Sequence, residues 1–162
     1  MPHPSPSPSR MRQARGLLFA FALAALTTYM VAAVSQTGFV LAGLHAAGAD
    51  FTPAVVVATI FRDLYGLAFK GLFVSYLLLV AVGLAIALSV AALVKRWTAA
   101  RGMIIYPLAA AVMMGAMLSL IKAVFFGITL YAGTRGAAGL AGQMLAGACG
   151  GALFALCMER LR

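Results

Sequence analysis

Four long stretches of the sequence carry no charge, and this feature limits the possible folds more than any other. They cover residues 16–34, 71–94, 102–121 and 136–158. A helix needs about 20 apolar residues to cross a hydrocarbon core of about 30 Å. With 64% hydrophobic and 9% charged residues, a water-soluble fold would have too little polar surface to cover its interior. The sequence therefore predicts an all-α, polytopic membrane protein.

The predicted bundle has four transmembrane helices, at 16–34, 71–94, 102–126 and 136–158. With their connections they form one membrane domain over residues 16–162. Residues 1–15 begin with alternating Pro and Ser and end in arginines, which predicts a disordered basic tail. Two alternatives stay open here. Met11 could be the true start, and the first helix could be a cleaved signal, although it exceeds the usual apolar length of about 7–15 residues.

Residues 35–70 form the predicted outer segment, in which glycines, Pro53 and four charged residues interrupt the apolar sequence. Thr52 followed by Pro53 indicates a helix start, because Thr caps and Pro suits the first helical position. The apolar run 54–61 is too short to span. We expect a short extra helix near 53–65, which either lies at the membrane interface or dips in and returns.

The distribution of basic residues predicts an orientation. Eight bases fall on one side of the predicted bundle and four on the other. The richer side holds Arg10, Arg12, Arg15, Lys95, Arg96, Arg101, Arg160 and Arg162. The poorer side holds Arg62, Lys70, Lys122 and Arg135. Cytoplasmic loops carry the excess of Lys and Arg, so both termini are expected in the cytoplasm of a bacterial inner (cytoplasmic) membrane.

Lys122 is the first candidate for a functional polar site, because a charge within a span is costly. Its predicted partner is Asp63, an acid among apolar residues. With Arg62, Lys70 and Arg135 they could line a cationic vestibule for an anion or a lipid headgroup. The simpler alternative is a set of ion pairs that hold outer loops to the bundle, with the Lys122 ammonium reaching the headgroup level on its long stem.

Two further features concern contacts between helices. Gln143 and Ser119 lie at similar depths in the fourth and third spans, so we expect a hydrogen bond between them, which is usually structural. Gly147 and Gly151 form a GxxxG motif, which lets two helix backbones approach closely. Packing within the chain is the default interpretation, and packing against another chain is the alternative.

No catalytic motif is visible. The chain has three acidic residues in total, and no Ser/His/Asp set, phosphate-binding loop or metal-spaced cluster is present. His45 is the only histidine outside the tail, so a haem or metal site lacks ligands. We predict no enzyme activity, no cofactor and no metal. The net charge of +9 is spread between apolar runs, which favours topology signals over nucleic-acid binding.

This layout resembles that of small, uncharacterised four-helix inner-membrane proteins of bacteria. The resemblance covers the whole chain but rests on segment lengths and an alanine-rich composition, so it transfers no functional residue. The expected function is a structural or accessory membrane subunit that works in the lipid bilayer with a membrane protein partner or as a homo-oligomer. The alternative is a small homo-oligomeric channel or transporter for an anion or lipid headgroup, using Lys122, Asp63 and Arg135.

Overall fold

The protein is an all-α membrane bundle. The structure, a computed structural model, describes residues 8–69, 75–98, 101–124 and 136–161, and within these ranges there are five helices and no strand. They are α1 (Pro8–Ala46), α2 (Pro53–Phe69), α3 (Tyr76–Trp97), α4 (Gly102–Val124) and α5 (Ala137–Arg160). All except α2 are long and apolar enough to cross a membrane. The predicted four spans and one extra helix are confirmed.

Helix α1 is much longer than the predicted span of 16–34. It begins at Pro8, so residues 8–15, which the sequence assigns to the tail, are helical, and residues 1–7 lie outside the described part of the chain. It also runs on to Ala46, through Gly38 and Gly43. An internal glycine costs a helix only about 1 kcal/mol, so two glycines in an apolar context do not end it.

Helix α1 ends at a turn that glycine makes possible. Gly48 has a φ of 91°, a left-handed conformation that costs glycine little. The amide of Ala49 donates to the carbonyl of Leu44, and the amide of Gly48 donates to that of His45. These two bonds are the Schellman pattern of a helix C-terminus. The predicted outer segment 35–70 is therefore helical over most of its length, as the end of α1 and as α2.

Helix α2 starts where the Thr52–Pro53 pair predicts. The carbonyl of Thr52 accepts from the amides of Val55 and Val56, and the helix continues to Phe69, past the expected end at 65. Helix α3 starts after Ser75, whose hydroxyl accepts from the amide of Leu78. The other predicted bounds agree to within a few residues, and the predicted residues 71–74 and 125–126 lie outside the described part.

One end of the bundle is formed by the start of α1, the end of α3, the start of α4 and the end of α5. Helix α5 packs along α1 on one side and α4 on the other, and α3 packs on α4. The start of α1 meets the end of α5, because Gly16 lies beside the side chain of Leu161. The end of α3 meets the start of α4 at Lys95 and Gly102. We call this set of ends the basic end, because it carries Arg12, Arg15, Lys95, Arg96, Arg101 and Arg160.

Candidate functional site

A buried group of polar side chains joins α1, α3 and α5 near the end opposite the basic end. The amide of Gln143 on α5 donates to the carbonyl of Ala32 at 2.9 Å. Its carbonyl oxygen accepts from the Tyr76 hydroxyl at 2.7 Å. The Tyr76 ring lies 6.3 Å, centre to centre, from that of Tyr29. Gln143 is fully buried, so these bonds satisfy a group that would otherwise be costly there.

The hydrogen bond predicted between Gln143 and Ser119 is replaced by these two. Ser119 is exposed on α4, one residue after the buried Leu118. Successive helix residues point about 100° apart, so Ser119 faces away from the core although its depth is similar. Depth alone predicts the pair, whereas the direction of the side chain on its helix decides which partner it meets.

A second polar contact holds α2 to α1. The Thr37 hydroxyl, fully buried, donates to a carboxylate oxygen of Asp63 at 2.8 Å. The Tyr29 hydroxyl also donates to the backbone carbonyl of Leu64. Together these contacts fix the C-terminal half of α2 against the middle of α1. The partner of Asp63 is thus a neutral hydroxyl on the neighbouring helix, which the sequence does not predict because it ends the first helix at Val34, before Thr37.

The predicted cations lie apart from this contact. Arg62 and Lys122 are exposed, the latter in the last turn of α4. Among the described residues the one ion pair joins His45 to Asp50, with 3.9 Å between the atoms and both side chains exposed. Lys70 and Arg135 lie outside the described ranges. The structure therefore does not bring Asp63, Arg62 and Lys122 into a shared vestibule.

Small residues on two sides of α5 let it touch both neighbours. A Cβ placed on Gly147 would lie 2.5 Å from the carbonyl oxygen of Ala110, and one on Gly151 would lie 2.5 Å from that of Tyr106. Both glycines of the GxxxG motif thus face α4 of the same chain. On the other side, a Cβ on Gly150 would lie 2.7 Å from the carbonyl oxygen of Ala24. Only glycine fits at such distances.

The α1 surface that meets this second side also repeats every four residues. Ala20, Ala24, Thr28 and Ala32 are all fully buried. The Thr28 hydroxyl oxygen has no hydrogen-bond partner in the described structure and lies against Gly150. Contacts of this kind place an oxygen beside a glycine Cα–H, a weak but recurrent interaction between packed helices. We interpret this stripe as helix packing.

The basic end carries a third kind of feature, a cation beside an apolar groove. The Lys95 ammonium lies 5.5 Å from the centre of the Tyr106 ring, in the range of a cation–π interaction. A groove of about 760 Å³ runs along the α3–α4 surface from this point toward the other end of the bundle. A smaller one, of about 420 Å³, lies between the start of α1 and the end of α5.

The buried polar atoms of Gln143 and Tyr76 bond to each other and to the backbone, and they hold the helices in place. No group of three His, Cys, Asp or Glu side chains in the described ranges could hold a metal ion. The two cysteines, Cys149 and Cys157, are free thiols.

Comparison with known proteins gives no match: no family model, no curated protein and no solved structure is similar to this chain.

Proposed function

We propose that the protein is a structural or accessory subunit of a membrane assembly and has no catalytic role. The observation that carries the proposal is the α1–α2 hairpin. Helix α1 has 39 residues and so is about 58 Å long, against a hydrocarbon core of about 30 Å. Its last ten residues, from Thr37 to Ala46, extend the helix by about 15 Å, and α2 packs against α1.

The hairpin presents an apolar surface. Val57, Phe61, Tyr65 and Phe69 follow each other at intervals of four residues on α2 and are more than half exposed. We call them the α2 stripe. Side chains four apart share one side of a helix, so they form a continuous surface. Apolar patches of this kind mark sites of protein–protein or membrane contact. A partner that covers the stripe explains why the bundle carries this extra helix.

Contacts of the described polar groups support a non-catalytic role. Gln143, Tyr76 and Thr37 are buried and bonded within the chain, and Lys122 is exposed at the end of its helix. A channel or transporter for anions, the alternative function, needs these groups around a shared wet path. Neither groove described above is lined by Lys122 or Asp63, so the subunit function has the better support.

The proposed location is the bacterial inner membrane, with both chain termini in the cytoplasm. The basic end collects residues from the start of α1, the α3–α4 connection and the end of α5. Short segments of this kind are the ones in which the excess of Lys and Arg determines orientation. In this orientation the α2 stripe belongs to the outer side of the membrane.

The test is extraction from native membranes in a mild detergent, followed by native mass spectrometry of the intact complex. We expect a second membrane protein in a fixed ratio. Phe61→Ser should lower its recovery several-fold, because it removes the centre of the stripe. Val55→Ser is the matched control, since Val55 is about half exposed on α2 but lies off the stripe. A homo-oligomer without any partner, or equal recovery with both variants, would contradict the proposal.

A further inference from the structure

The larger groove is an unfilled surface at membrane depth. Its floor consists of small residues on two adjacent helices, Ala87 and Ala91 on α3 and Ala109 and Ala116 on α4, whereas Met113 covers Gly83. Branched and long apolar side chains such as Val94 and Leu120 form its rims, and about 760 Å³ lies between them. Because the floor side chains are short, the groove is deep enough to hold a chain of methylene groups along the helices.

One end of this groove is basic. Lys95 follows the lining residues Ala91 and Val94 on α3, and its ammonium reaches across to α4, where a Cβ on Gly102 would lie 2.7 Å from it. Arg96 and Arg101 are exposed beside it. In the described part of the chain no carboxylate lies within 4.0 Å of the Lys95 ammonium. The ammonium also lies over the Tyr106 ring, 5.5 Å from its centre, and a cation–π contact of this kind leaves its positive charge in place.

We propose that this groove binds one anionic phospholipid, with an acyl chain along α3 and α4 and its phosphate on Lys95, assisted by Arg96 and Arg101. The argument is one of complementarity: an apolar channel in the hydrocarbon region ends at a cluster of cations at the headgroup level. Basic pockets between transmembrane helices on the cytoplasmic side bind anionic headgroups by this combination. The acyl chain of a neutral lipid would fill the groove, but its headgroup would leave the cations without a counter-charge.

Charge also decides against a second copy of this chain as the occupant. A parallel copy docked in the groove would bring its own basic end to the same level of the membrane. The chain carries a net charge of +9, and like charges brought together at an interface oppose association. An anionic lipid lowers this charge, whereas a second copy doubles it.

Fluorescence of Trp97 can report whether the lipid is bound. Trp97 is the only tryptophan, it is 83% exposed, and it lies three positions after the lining residue Val94, on the same side of α3. The full chain is reconstituted in phosphatidylcholine bilayers that contain a small fraction of brominated phosphatidylglycerol, which quenches tryptophan on contact. Equal amounts of brominated phosphatidylcholine give the reference for random mixing.

We expect quenching by the anionic lipid to exceed the reference, which indicates enrichment beside Trp97. Lys95→Gln should lower the enrichment roughly fivefold, the value of one basic residue at an anionic membrane surface. Ala116→Leu should lower it as well, because an exposed floor position can take a larger side chain that fills the groove. Lys122→Gln and Ala85→Leu are the matched controls, at an exposed base on the opposite end of α4 and an exposed α3 position outside the groove.

Equal quenching by the two lipids would overturn the proposal. Enrichment that survives Lys95→Gln would also overturn it, because the enrichment would then reflect net charge alone. Enrichment that survives Ala116→Leu would overturn it too, because the headgroup would then bind without an acyl chain in the groove. A cross-link from position 116 to another protein in native membranes would also overturn it, because the groove would then be occupied by a helix of a partner protein. Circular dichroism verifies that each variant keeps its helices. The α2 stripe belongs to the opposite side of the membrane, so this result is independent of the accessory-subunit proposal.

Discussion

Among the described helices, α4 packs mainly on α5 and α3, and it meets the two in different ways. Against α5 the contact is close enough for glycines to touch backbone carbonyls at Ala110 and Tyr106. Against α3 a side chain lies between the backbones, as where Met113 packs on Gly83, and a groove of about 760 Å³ remains beside this contact. In lipid there is no hydrophobic force between helices, so association depends on close packing and hydrogen bonds. The α1–α5–α4 unit is therefore expected to hold the fold, whereas the α3–α4 surface and α2 are available for binding.

The largest expected effect is at the centre of the close-packed unit. Gly150→Ala places a Cβ 2.7 Å from the carbonyl oxygen of Ala24, which is backbone and cannot move aside cheaply. Overpacking of this kind costs about 1–3 kcal/mol. The measurement is the free energy of unfolding by denaturing detergent in mixed micelles.

The matched control for that substitution is Gly38→Ala. Gly38 also lies within a membrane helix, but a Cβ there has nothing within 4 Å. Alanine favours a helix over glycine by about 1 kcal/mol, so this variant should be neutral or slightly more stable. If both variants behave alike, the close approach of α5 and α1 is not what stabilises the bundle.

A smaller effect is expected from the buried amide that joins this unit to α3. Gln143→Leu removes the hydrogen bond from the Tyr76 hydroxyl and the one to the Ala32 carbonyl. Hydrogen bonds within membranes contribute about 0.6–2 kcal/mol, and we expect a loss of unfolding free energy in that range. Ser119→Ala on α4 should change it little, because Ser119 is exposed. An equal loss of unfolding free energy in both variants would show that the effect is not specific to the hydrogen bonds of Gln143.

The sequence predicts the spans of the α1–α5–α4 unit better than it predicts the end of α1 and its contact with α2. Uncharged runs determine the four spans because the membrane sets their length, and the Thr52–Pro53 pair marks the start of α2 because capping is a local property. The part of α1 beyond Val34 is not predicted, since its glycines resemble those of a loop. Whether a glycine ends a helix depends on the backbone conformation of the residues around it, and here the left-handed turn comes only at Gly48.

The candidate polar site is harder to predict for a related reason. Sequence depth places Gln143 beside Ser119 and charge places Asp63 beside Lys122, but both pairings require knowledge of the direction in which each side chain points. Gln143 bonds to α1 and α3, and Asp63 bonds to Thr37 on a stretch of α1 that the sequence assigns to the outer segment. Directions of this kind are set by how the helices pack, which involves residues far apart in the chain.

The smallest expected effect concerns the attachment of α2, and it tests whether the hairpin is a separate unit. Thr37→Val removes the hydroxyl that bonds to Asp63 but keeps the shape of the side chain. We expect faster hydrogen exchange in α2, by about fivefold for the loss of a bond of about 1 kcal/mol, with exchange in α5 unchanged. Arg62→Gln, at an exposed neighbour, is the control. Faster exchange that spreads to α5 would show that the hairpin and the close-packed unit open together, and the contrast between a rigid core and an attached binding element would not hold.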